Sequence, residues 1–123
     1  MDDDFRVKVS NIRKRNPSYE ADAYTFLMEC FRYTSGKRRQ TADRHLKAAD
    51  ICEAVKSNAL ETFGPMAATV LEEWGIKSTC DIGEMVRNLV DEKILIREEN
   101  DAYEAFEGVF DFHESFVKPY EPE

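Results

Sequence analysis

Two histidines (His45 and His113), three cysteines (Cys30, Cys52 and Cys80) and the carboxylate pair Glu72-Glu73 beside the single Trp74 are the residues of this sequence whose types could carry chemistry. The histidines stand far apart, without the HxxxH or Cys/His spacing that gathers nitrogen and sulfur ligands around a metal. The cysteines are odd in number, widely separated and each set in a helical apolar pattern. They signal neither a disulfide framework nor a CxxC redox site and read as small buried hydrophobes. A carboxylate held against an aromatic wall can serve as a general acid, but neighbours on a helix point in different directions. At most one of Glu72 and Glu73 could do so, and structural or solvated roles fit the pair better. Ser18, Ser35, Ser57, Ser78 and Ser115 lie in no GxSxG elbow, and five glycines form no phosphate-binding loop. The sequence therefore predicts no enzyme, no cofactor and no metal; a deep pocket around Glu72 or His113 with converging polar groups would reopen catalysis. Trp74, in phase with Val70 and Leu71, reads as core rather than as a ligand platform. Tyr19, Tyr24 and Tyr33 are harder to bury completely and read as the edge of an interface.

Charge offers a second class of function. Residues 1 to 48 carry 11 Lys and Arg against 7 Asp and Glu, a net +4, whereas residues 49 to 123 carry 6 against 18, a net −12; the whole chain stands at −8. An acidic total disfavours general attraction to nucleic acid, although the clusters Arg13-Lys14-Arg15 and Lys37-Arg38-Arg39 could act locally. The plainer reading is that the two halves complement each other within the fold or in a dimer.

The elements that must position these residues are most legible between Phe63 and Leu95. Gly64 can close one helix in the left-handed conformation, Pro65 suits the first position of the next, Gly75 closes that one, and Asp81 with Glu84 reads as a capping box. Ala48, Ile51, Cys52, Val55, Ala59 and Phe63 line the face of the first of these three helices. Met66, Val70, Leu71 and Trp74 line the second, where Ile76 is placed to fold back past Gly75. Ile82, Val86, Leu89 and Val90 line the third, from about Ile82 to near Glu92.

Upstream, Phe5, Val7 and Val9 alternate like a strand while Phe5, Val9 and Ile12 fit a helix face; both fit, and helix is preferred. Asn16-Pro17-Ser18 is a turn. A helix from near Glu20 carries Ala23, Phe26, Leu27, Cys30 and Phe31 at three- and four-residue steps and is expected to stop at Gly36. Residues 37–47 form a polar, basic connector, with Arg44-His45-Leu46 briefly extended. Downstream, Ile94-Leu95-Ile96 and Val109-Phe110-Asp111-Phe112 read as two strands around the turn-forming Glu98-Glu99-Asn100-Asp101, and Phe116, Pro119 and Tyr120 as a tail.

The sequence thus predicts a single domain, 1–123, mainly α with a small C-terminal β-hairpin. It divides into N-terminal helices at 1–36, the basic connector at 37–47, three helices plus hairpin at 48–112 and a tail at 113–123. The element order is that of a winged helix; a helical bundle with a terminal hairpin is the alternative. A third helix whose outward residues are Glu84, Arg87, Asn88, Asp91 and Glu92 would repel phosphates, so it suits a basic protein partner better than DNA. The expected function is a non-enzymatic protein–protein interaction or adaptor module working through those five residues, with self-association through the N-terminal helices. The alternative is a nucleic-acid-binding regulator using Lys37, Arg38, Arg39, Arg44 and Lys47. No apolar run approaches the roughly 18 residues of a membrane span, and the acidic start Met1-Asp2-Asp3-Asp4 is unlike a secretory signal, so a cytoplasmic location is expected.

At Phe63-Gly64-Pro65-Met66-Ala67, at Val70 through Ile76 and at Asp81 through Val90 the chain resembles the Minf type, a small family of uncharacterised bacterial proteins. The likeness extends to Asp22-Ala23-Tyr24-Thr25-Phe26 and to Phe106 through Phe112, and so covers most of the chain. The resemblance implies a cytosolic bacterial protein built as one domain and supplies no activity, substrate or catalytic residue. The chain departs from the family at Lys47, where members tend to place a serine or similar cap before the long middle helix.

Overall fold

The computed structural model describes residues 3–38, 48–95 and 103–120. Five α-helices build the frame: α1 (Asp3–Arg15), α2 (Ala21–Arg38), α3 (Ala48–Phe63), α4 (Ala67–Glu73) and α5 (Thr79–Asp91). In α1 the helical register prevails over the alternating one, because Val9 and Ile12 are 3% and 0% exposed while Val7 is 57% exposed. The connection to α2 is a tight turn in which the Asn16 side chain accepts the Ser18 N–H at 3.1 Å. α2 buries Ala23, Tyr24, Leu27 and Cys30 and runs through Gly36 to Arg38 instead of ending at the glycine. Of the basic connector, Lys37 and Arg38 contribute their backbone to the end of α2; Arg39, Arg44 and Lys47, like His45, lie outside the described residues.

α3 buries Ala48, Ile51, Cys52, Val55 and Ala59 at the spacing of a single helical face. Gly64, at φ +52°, reverses the chain into one 3-10 turn, Gly64–Met66, which carries Pro65 near its start and leads directly into α4. α4 closes with two bonds past its last turn: Gly75 N–H to Glu72 C=O at 3.0 Å and Ile76 N–H to Leu71 C=O at 2.8 Å. This is the Schellman arrangement, with Gly75 in the left-handed region at φ +96° and Ile76 folded back into the core at 4% exposure.

α5 begins three residues earlier than the periodicity suggests. Ser78 is its N-cap, and Asp81 accepts the backbone N–H groups of Ser78 at 3.1 Å and Lys77 at 2.7 Å. The capping pair is therefore Ser78 with Asp81, and Glu84 is free of that duty. Ile82, Met85, Val86 and Leu89 face inward.

The expected C-terminal hairpin, and with it the winged-helix reading, is corrected: there is no strand among the described residues, which are mainly helical. Ile94 and Leu95 do not extend, because both donate backwards to the Leu89 carbonyl, at 2.9 and 3.3 Å, while Lys93 donates to Val90 at 2.9 Å. Lys93 takes the left-handed conformation, φ 62°, that closes this second Schellman turn. At the other expected strand, Asp111 starts a helical turn: its side chain accepts the Glu114 N–H at 3.0 Å and its carbonyl the Ser115 N–H at 2.9 Å. A π-helical turn, His113–Val117, and a 3-10 turn, Lys118–Tyr120, follow. Phe110 and Phe112 stack at 5.4 Å between ring centres, and both meet the fully buried Phe116 edge-on at 5.6 and 5.1 Å. The tail is thus docked by an aromatic trio.

One cluster of buried apolar side chains draws on all five α-helices and on Phe106 and Phe116. Tyr19 and Tyr24, expected at an edge, lie inside it at 1% and 0% exposure. Cys30 and Cys52 are buried as expected, whereas Cys80 is exposed near the start of α5. No helix among the described residues is long and apolar enough to cross a membrane.

Candidate interaction site

The outward residues of α5 do not form one open face. Glu84 accepts hydrogen bonds from the Asn16 amide and the Tyr19 hydroxyl, both at 2.7 Å. Asn88 donates to the Tyr24 hydroxyl at 3.1 Å, and Glu92 is paired with Arg15. Arg87 and Asp91, like Glu84, are exposed. The structure thus brings Glu84, Asn88 and Glu92 together with α1, its following turn and α2, and the pairing of Arg15 with Glu92 carries basic charge from the first half onto the acidic second half.

Tyr19 is the centre of this junction. Its hydroxyl lies 2.7 Å from both Asp81 and Glu84, and since a phenol has a single proton the two contacts share it. Burial first, then the bonds to Asp81 and Glu84 and their negative charge, push the phenol well above the ordinary tyrosine range. We expect Tyr19→Phe to lose about 2 kcal/mol in urea denaturation, the size of a buried hydrogen bond to a charged acceptor. The pH dependence has a definite sign. A phenol raised in the folded state stabilises fully below the unfolded value of about 10, and that stability is lost as pH climbs above it. The wild-type chain should accordingly weaken more steeply than Tyr19→Phe in alkaline solution; parallel curves would refute the assignment.

A different surface combines cavities with charge. α2 presents Asp22, Thr25 and Glu29 outward between two cavities that share these three residues. The first, about 230 Å³, is walled by Phe26 from α2, Phe63 from the end of α3 and Trp74 from the end of α4. These rings fix one another. Phe26 and Phe63 stack at 5.6 Å, and Trp74 meets them edge-on at 5.6 and 5.7 Å. All three are half-buried, so Trp74, read from sequence as core, is both core and cavity wall. Cys30 lies at the buried side, its thiol pushed up to about 12 by burial and then by the charge of Glu29, and is neutral at ordinary pH. The second cavity, about 540 Å³, adds Phe5, Arg6 and Val9 from α1.

Neither Glu72 nor His113 lines these cavities; both are exposed. No group of three or more His, Cys, Asp or Glu side chains among the described residues is placed to hold a metal. The α2 surface was missed in the sequence because its walls come from segments far apart, although Asp22 and Glu29 at a seven-residue interval on one helix face were visible. Comparisons with protein-family models, with curated proteins and with solved structures return no match for this chain.

Proposed function

We propose that this chain is a non-enzymatic protein-interaction module, an adaptor, whose partner presents a basic surface to the outward face of α2. One observation carries the reading: among the described residues no ion pair engages Asp22 or Glu29, although both carboxylates border two cavities on a chain of net charge −8. Carboxylates so placed attract and orient a cationic partner. The Cys30 thiol in the cavity wall is held protonated, which suits a binding surface better than a nucleophile. We place the module in the cytoplasm, a reading supported by the free thiols of Cys30, Cys52 and Cys80, which an oxidising compartment would tend to pair. Membership of the Minf type belongs to the same proposal and rests on the segments quoted above.

The test is binding of short basic, neutral and acidic peptides and of labelled duplex and single-stranded nucleic acid at low and moderate salt. Basic peptides should bind, more weakly as salt rises. Absence of any basic-peptide binding at low salt would end the reading. Steeply salt-dependent nucleic-acid binding that disappears when Lys37, Arg38 and Arg39 are neutralised would replace it with the regulator reading.

A further inference from the structure

The cavity between α2, α3 and α4 combines three aromatic rings with two carboxylates, and among the described residues its lining includes no Lys or Arg. We propose that it is the receptor pocket for one arginine side chain of the basic partner, an inference that rests on the interaction-module reading. Size, ring chemistry and charge converge on that ligand. At about 230 Å³ the cavity falls below the roughly 300–1,000 Å³ of small-molecule sites and suits one long side chain. The faces of Phe26, Phe63 and Trp74 carry negative quadrupole potential, strongest at tryptophan, and their mutual packing holds them in place before a ligand arrives. Asp22 and Glu29, two turns apart on the same side of α2, supply the negative charge at the mouth, with Thr25 between them.

Among biological cations the guanidinium answers this combination best. It is planar and weakly hydrated, stacks on aromatic faces at little desolvation cost, and has N–H groups directed outward to meet carboxylates. The adjoining cavity of about 540 Å³ shares the same two carboxylates and leaves room for residues flanking the arginine to lie across α2 towards Phe5 and Val9. Arg6, on the far side of that second cavity, sets an electrostatic limit to how far a basic segment extends.

Trp74 is the chain's single tryptophan, so its fluorescence reports this cavity directly. The probe is a short peptide with a central arginine flanked by lysines, compared with the same peptide carrying neutral, isosteric citrulline at the centre. We expect the arginine peptide to change Trp74 emission saturably and the citrulline peptide to bind about tenfold more weakly. Asp22→Asn combined with Glu29→Gln should weaken the arginine peptide by about tenfold as well. Both carboxylates are exposed, and unchanged circular dichroism will show that the variant is folded. Equal binding of the two peptides would overturn the pocket assignment. So would binding that leaves Trp74 emission unchanged and ignores the double variant; the interaction module would then stand, with its basic partner seated elsewhere. If neither peptide binds even at low salt, module and pocket fall together.

Discussion

Replacing Gly75 with alanine is expected to cost about 3 kcal/mol or more, a large share of the stability of a domain this size. Two costs combine. At φ +96° an L side chain is strained, which accounts for about 1–2 kcal/mol. A Cβ would also stand 2.1 Å from the Ser18 carbonyl oxygen and 3.2 Å from the ring of Tyr19, and the oxygen is backbone that cannot swing away. The turn between α1 and α2 lies directly on this glycine, tied to it from the next residue over by the Glu20 N–H donating to the Trp74 carbonyl at 3.1 Å. Relieving the clash therefore shifts the segment that holds Tyr19 between Asp81 and Glu84. Gly64 supplies the control. It is also left-handed, at φ +52°, but a Cβ there meets nothing within 4 Å, so Gly64→Ala should lose only the conformational part, about 1 kcal/mol. Urea denaturation of both variants decides the matter, and equal losses would show that the approach of Ser18 contributes nothing.

The contrast between Gly75 and Lys93 shows why some of the fold was legible and some was not. Both positions close a helix with the same two backbone bonds, but glycine announces a left-handed residue and lysine does not. The end of α4 could therefore be read from Gly75-Ile76, whereas Ile94-Leu95 passed for a strand. At Asp111 a signal was present and was outweighed. Asp111 followed by Glu114 is the pattern of a helix start, but the alternation of Phe110 and Phe112 suggested a pleated surface. In the structure both rings serve Phe116 instead.

The candidate site was hidden for a different reason. Tyr19 finds its carboxylates 62 and 65 residues away, and Phe26 finds Phe63 and Trp74 only once α2, α3 and α4 have packed. Periodicity assigns a side chain to a face but does not name the opposite face. Charge counting was likewise correct in total and incomplete in place. It located acidity in residues 49 to 123, but much of the outward surface of α5 is engaged with Asn16, Tyr19, Tyr24 and Arg15, while Asp22 and Glu29 sit in the half of the chain that counts as basic. Local placement, rather than the sum over a segment, sets the potential a partner meets.

Gly83 should reveal how firmly the C-terminal segment is attached. It lies inside α5, where glycine ordinarily costs about 1 kcal/mol relative to alanine, so a substitution judged by helix propensity alone would stabilise. The structure reverses that expectation. A Cβ at Gly83 would lie 2.8–2.9 Å from Cγ, Cβ and Cδ2 of Phe106, atoms near the root of a side chain that is only 5% exposed. Phe106 ends the 3-10 turn Tyr103–Phe106, and the chain just beyond is anchored again where the Val109 N–H donates to the buried Thr79 hydroxyl at 3.3 Å. Gly83→Val therefore overfills the contact, and we expect a loss of about 3 kcal/mol. Phe106→Ala alone should cost about 3–5 kcal/mol by emptying the same place. The informative measurement is the double-mutant cycle. With the ring removed, two of these three contacts are gone and only the one with the Phe106 Cβ remains, so the double variant should be more stable than the sum of the single losses predicts by at least about 1 kcal/mol. Strict additivity would mean that Gly83 and Phe106 do not meet, and that the C-terminal segment is held to α5 by the Val109–Thr79 bond without this contact.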